Sequence, residues 1–435
     1  MGLPTPLTFD PQLTRPDRLV LQQLSEEMTT SSPSASPSED PAEPIIAKLK
    51  AANDPSDARF EPTVFTTYDH PEDTAALPSA LRRILSSYTA WARTACRVET
   101  DVVFVTHLLL YFCTTLPSAI LLFTRFSYVH AVFHMALQGY YMGPYTLLKH
   151  QHIHQRGVLA KRFAVVDELF PYVMDPLMGH TWNSYYYHHV KHHHVEGNGP
   201  GDLSSTIRFQ RDSVGHFLQY LGRFFFLVWF DLPRYFVRSG RPVLGVKCGL
   251  WEVGSYAALA LAWKVNPRAA VFVFGLPLLL LRIALMVGNW GQHAFVDEEE
   301  PDSDFRSSVT LVDVASNRYC FNDGYHTSHH LNPLRHWRDH PIAFLQARHD
   351  YAAQDALVFH NIDYVFITIR LLMKDYDTLA RCLVPIGAKQ IAMTHEERMA
   401  MLKSHTRQFS EEEVIEKFKL REKASSGTSS GTKQS

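Results

Sequence analysis

The chain is 435 residues long and nearly neutral, with 42 lysines and arginines against 44 aspartates and glutamates, a balance that argues against a polyelectrolyte partner such as nucleic acid. Five cysteines stand far apart with no CxxC pair, which argues against a disulfide framework and a thiolate metal site and suits a reducing compartment. Histidine is the outlier: 24 in all, eleven of them between His130 and His194, and imidazole is the commonest side-chain ligand of redox-active transition metals.

Residues 1–60 are rich in Ser, Pro, Asp and Glu ("TTSSPSASPSEDPAEP") and read as a disordered tail. The opening residues show no secretory signal and no myristoylation pattern. After a pre-membrane cytosolic segment at 61–100, residues 102–123 run for 22 positions without Asp, Glu, Lys or Arg, and 127–148 repeat that length. A hydrocarbon core about 30 Å thick takes roughly 20 apolar residues as helix, so both are expected to span a membrane. Three residues separate them, which makes a tight hairpin. A second pair, 248–263 and 269–287, breaks at "KVNPR", where Pro267 favours a helix boundary. Residues 217–237 are apolar but carry Arg223, Asp231 and Arg234; they are expected to lie in the interface as an amphipathic helix. With four spans, every histidine-rich group falls on one side of the membrane.

Those groups have helical spacing. "LLKHQHIHQRG" sets His150 and His154 four apart, and "YYYHHVKHHHVEGNGPGDLS" holds His189, His192 and His193 at i, i+3 and i+4. "GNWGQHAF" sets Asn289 and His293 four apart, and "GYHTSHHLNP" repeats the HxxHH spacing with His326, His329 and His330. A four-coordinate zinc site needs fewer imidazoles. Two irons sharing them account for the number, and a zinc cluster fits the ligand type equally. His188 and His194 fall on other faces of the second group, His152 points away from His150 and His154, and His130 and His134 lie deeper, inside a span. Asp202, Asp297 and Asp323 are candidate acceptors for ring N–H groups.

The four histidine segments, in this order between hairpins, resemble the histidine boxes of the membrane fatty acid desaturase and hydroxylase superfamily. The resemblance spans residues 100–345. It implies an all-α integral membrane protein, with four transmembrane helices in two hairpins (101–345) and a cytosolic helical cap. It also implies a non-haem di-iron centre held by these histidines, with Asn289 placed to orient an iron-bound water. A C-terminal cytosolic helical region (346–422) and a disordered tail (423–435) complete the expected layout. The implied reaction is O2-dependent oxidation of an unactivated C–H bond in a lipid acyl or alkyl chain, desaturation ahead of hydroxylation, in the endoplasmic reticulum membrane. No "HPGG" motif of cytochrome b5 is present, so the implied electron donor is a separate cytochrome b5 or ferredoxin. A different class also uses many histidines: a membrane protein that handles or transports zinc.

Overall fold

The structure, a computed structural model, describes residues 13–29, 40–69 and 74–418, with Leu7 and Phe9. The tail expected at 423–435 lies outside the described residues. Helices dominate, but their order corrects the sequence expectation at its start. Helix α1 (Arg15–Thr29) and α2 (Glu43–Asn53) occupy much of the segment read as disordered. Val20, Leu21, Leu24 and Ile46 are buried there against Phe344, Leu345 and Tyr351. The polar composition of 1–60 comes largely from the stretch between these helices, and the helices' apolar residues gain stability only from a distant part of the chain.

Next come α3 (Ser79–Ala95), α4 (Val102–Thr124) and α5 (Tyr128–Gln155). Ser127 caps α5 by accepting from the His130 backbone N–H, and the helix ends at Arg156 in the left-handed conformation. Then α6 (Ala164–Leu177), a π-helical segment (Tyr186–His193), α7 (Val214–Arg238), α8 (Pro242–Val265) and α9 (Pro267–Gln292) follow. The α8–α9 break falls at Asn266, as Pro267 predicts, and the Asn266 side chain caps the new helix through Ala269 N–H.

Among the described residues two helices are long and apolar enough to cross a membrane: α4, with mean hydropathy 1.6, and α9, with 2.5. Helices α5 and α8 have the length but carry more polar residues, among them Gln138, Lys149, Lys247 and Glu252.

The chain is not purely helical. A small sheet joins β1 (Val309–Val312) in parallel to β2 (Leu357–His360), and β2 antiparallel to β3 (Leu383–Val384). Strands of four and two residues, buried on both faces, show no alternation for a sequence pattern to detect. The sheet matters because β1 is tied to the last histidine segment: Leu311 N–H donates to Gly324 O at 2.7 Å. A Cβ at Gly324 would come within 2.6 Å of the Leu311 carbonyl, so only glycine permits this approach. The last histidines lie on α10 (His326–Leu331); α11 (His340–Ala353) and α12 (Tyr364–Leu372) complete the frame. The C-terminal region is stapled by the fully buried Arg211, which donates to the carbonyls of Ala294, His405 and Arg407.

Candidate metal centre

Four segments bring nine imidazoles together in two groups. His150, His154, His189, His194 and His329 form the first; His193, His293, His326 and His330 form the second. Within each, the facing ring nitrogens lie within 4.8 Å of one another. The end of α5 supplies His150 and His154, the residue after α9 supplies His293, and α10 supplies His326, His329 and His330.

In the first group the Nε2 atoms close a ring. His150 meets His189 at 2.8 Å and His329 at 3.0 Å; His194 meets His329 at 2.8 Å and His189 at 3.1 Å. A ring nitrogen either donates or accepts, so protons can satisfy at most two of these four contacts. His154 packs beside them, its ring centroid 4.8 Å from those of His194 and His329, with its Nε2 buried and unpartnered. Converging lone pairs of this kind fit a cation. Metal–nitrogen bonds of about 2.0–2.1 Å put neighbouring ligand nitrogens about 3 Å apart.

The second group is held from outside. His293 Nδ1 donates to Ser307 O at 2.7 Å, and His193 Nδ1 to the Asp202 carboxylate at 2.7 Å. Those bonds fix the tautomers and turn Nε2 of each ring inward, the arrangement expected around a metal. His326 Nε2 lies 3.2 Å from His293 Nε2 and 3.1 Å from His330 Nε2. His330 Nδ1 approaches Asp304 at 3.5 Å.

The second histidine segment departs from the sequence expectation. Residues 186–193 are π-helical, and a π turn holds about one residue more than an α turn. The wider turn carries i+4 and i+5 over the starting residue and swings i+3 aside. His193 and His194 therefore flank His189, while His192 falls into a third group, with His188 and Asp202, whose ligand atoms also lie within 4.8 Å of one another. Fully buried, His192 accepts from Leu203 N–H at 2.8 Å and sits 3.4 Å from Asp202. His194, assigned elsewhere by α-helical spacing, belongs to the first group. The run satisfies both α and π spacing, so the sequence alone does not separate the two. Gly197, at φ +54°, ends the segment.

The remaining candidates separate cleanly. Asn289 Nδ2 is anchored on Ser204 O (2.9 Å) and the Tyr220 hydroxyl (2.7 Å). His152 bonds the Asp167 carbonyl, and His130 and His134 both meet the Ser118 hydroxyl. Asp297 accepts from Glu299 and Glu300 N–H. Of the three acids considered, only Asp202 meets a clustered imidazole. Burial, with Asp363 nearby, pushes the carboxyl of Asp323 up to about 7.

Burial, reinforced by neighbouring imidazoles, holds His150, His189, His194, His293, His326 and His329 well below the ordinary histidine range. His154 is drawn down to about 4 for the same reasons. These rings are neutral at physiological pH, with lone pairs available to a metal and no proton to displace from them. The groups open onto a cavity of about 740 Å³ whose wall includes His189, His326, Leu147, Phe224 and Leu285. An apolar cavity ending in a few convergent polar groups is the usual form of a small-molecule site.

Such a site marks a metal-binding oxidoreductase. The Fatty acid desaturase family model matches residues 126–361, over half of the chain, and the chain belongs to that family. Neither curated proteins nor solved structures yield a match.

Proposed function

We propose that the protein is a membrane di-iron oxidase that uses dioxygen to desaturate a lipid acyl or alkyl chain. The observation that carries this reading is the pair of imidazole groups, five and four, that share the wall of a largely apolar cavity. His150, His154, His189, His194 and His329 would hold one iron, and His193, His293, His326 and His330 the other. Bound there, the irons supply oxidising power toward an unactivated C–H bond, which no side chain has.

The chain's own residues do the rest. Asp202 and the Ser307 carbonyl keep His193 and His293 in one tautomer. Tyr185 stacks on His189 with ring centroids 5.1 Å apart, restraining that ring. Ser204 and Tyr220 hold the Asn289 amide at the cavity wall. Apolar walls orient a hydrocarbon chain and exclude water from the reacting carbon.

A four-span arrangement in two hairpins, α4–α5 and α8–α9, is supported by the surfaces of the two less apolar helices. Val129, Val132 and Phe133 on α5, and Val246, Leu250 and Val253 on α8, are exposed. Exposed rows of this kind fit lipid better than water. Helix α7 exposes Phe226, Trp229 and Phe230 beside Arg223 and Arg234, the composition of a helix at the interface. On this reading the histidines face the cytosol of an endoplasmic reticulum membrane, and a separate cytochrome b5 or ferredoxin delivers electrons.

The test is purification for metal content, with lipid profiling of cells that express or lack the protein. About two irons per chain and new double bonds are expected. Hydroxylated chains without new double bonds would overturn desaturation, and stoichiometric zinc with vesicle metal flux would overturn the oxidase.

A further inference from the structure

One charged cluster on the cavity wall plays no part in the metal centre. Arg282, on the otherwise apolar α9, pairs with Glu252 of α8. The Tyr256 hydroxyl donates to Glu252 Oε1 at 2.5 Å, and Ser184 donates to Oε2. Arg282 Nη2 also donates to the Tyr256 hydroxyl at 2.8 Å. Arg282, Glu252 and Ser184 all line the cavity that reaches the histidines. An ionisable pair within predicted membrane-spanning helices is costly and marks function more often than scaffolding.

The geometry of the pair is incomplete. Both hydrogen bonds of Arg282 leave from Nη2. A guanidinium offers five N–H donors, and among the described residues no acceptor meets Nε or Nη1. The Arg282 side chain is 11 % exposed and lines the cavity, so donors with no protein acceptor there are free to meet an acceptor bound in the cavity. Glu252 already balances the charge. A carboxylate would add a net negative charge in an apolar site, whereas a neutral oxygen takes the N–H groups without one.

We propose that Arg282, set by Glu252 and Tyr256, is a specificity-determining subsite for a neutral oxygen carried partway along the substrate chain: a hydroxyl or a ketone. Arg282 lies eleven residues before His293, the clustered imidazole at the end of α9, which places this subsite roughly 16 Å along the helix from the metal groups. The favoured substrate is therefore a lipid chain with an oxygen function about that far from the oxidised carbon. The inference rests on the reading of the cavity as an alkyl-chain site.

Two probes test it: a long-chain methyl ester with a mid-chain hydroxyl and the same ester without it. Their dissociation constants are measured on the purified full-length protein in detergent. Wild type is expected to bind the hydroxylated ester about tenfold more tightly, the worth of a hydrogen bond to a charged donor. In the paired Glu252→Leu/Arg282→Met variant the ratio should fall to about one. Arg282→Lys, which keeps the ion pair but loses the planar fork, should also lower it and serves if the paired variant does not fold. Equal affinities in wild type, or an undiminished ratio in a folded variant, would overturn the subsite alone. Binding of neither ester would overturn the alkyl-chain reading with it.

Discussion

His192 and His194 give the sharpest test of the metal centre, because helical spacing and the folded chain assign them opposite parts. His194 Nε2 is one of four ring nitrogens in mutual contact, 2.8 Å from His329 and 3.1 Å from His189. His194→Ala should empty the first group and lower iron from about two per chain to about one or fewer, with activity lost. His192 touches neither group. Its replacement by alanine removes the acceptor of the half-buried Leu203 N–H, at a cost of about 1 kcal/mol. It reaches the metals only through Asp202, where such outer contacts are worth roughly 10–100-fold in metal affinity. His192→Ala should therefore unfold at lower temperature yet keep close to two irons when purified with excess iron. Iron per chain by mass spectrometry and thermal unfolding in detergent would be read side by side, with His189→Ala as the control. Full iron in His194→Ala, with His192→Ala as depleted as the control, would refute the π-helical assignment.

Asp202→Asn removes the carboxylate that accepts from His193 Nδ1 and should weaken iron binding about 10–100-fold in competition with a chelator. Asp17, buried on α1, accepts from the Tyr325 hydroxyl at 2.7 Å and from Asn317 Nδ2 at 3.0 Å. Asp17→Ala leaves both donors buried without that acceptor and should cost roughly 2–4 kcal/mol in denaturant unfolding. Burial pushes the Asp17 carboxyl up from 3.8 to about 6. The fold thus favours the protonated form, and the stability it contributes is full below pH 4 and lost as pH rises through 6. Asp17→Asn should flatten this slope relative to wild type by up to roughly 3 kcal/mol; an unchanged difference between pH 4 and 7 would refute it. A Cβ at Gly288 meets nothing within 4 Å and Gly288 lines the cavity. Gly288→Leu should fold normally and shift the product profile toward shorter or less bulky chains, as lipid mass spectrometry would show.

The chemistry of this protein was legible because it is local. Imidazoles at i and i+4 share a helix face whatever the rest of the fold does, so His150 with His154, and His326 with His330, could be grouped from spacing alone. The hairpin breaks were equally local, set by Pro267 and by the charged turn at Arg125. The HHVKHHH run was not. Its seven residues satisfy α spacing with His192 and π spacing with His194, and the choice rests on which nitrogens find His150, His329 and Asp202 across the fold. The buried helices of the N-terminal segment lay beyond the sequence for a related reason. Nothing near Asp17 in the chain announces Tyr325, 308 residues away, and burial against a distant partner is what makes that stretch helical. The short sheet was missed likewise, since two to four buried residues per strand carry no period. Sequence determined which residue type clusters and the spacing within each segment. Tertiary packing decided which nitrogens converge, because a ligand set is a property of distances, and distances between remote segments exist only once the chain has folded.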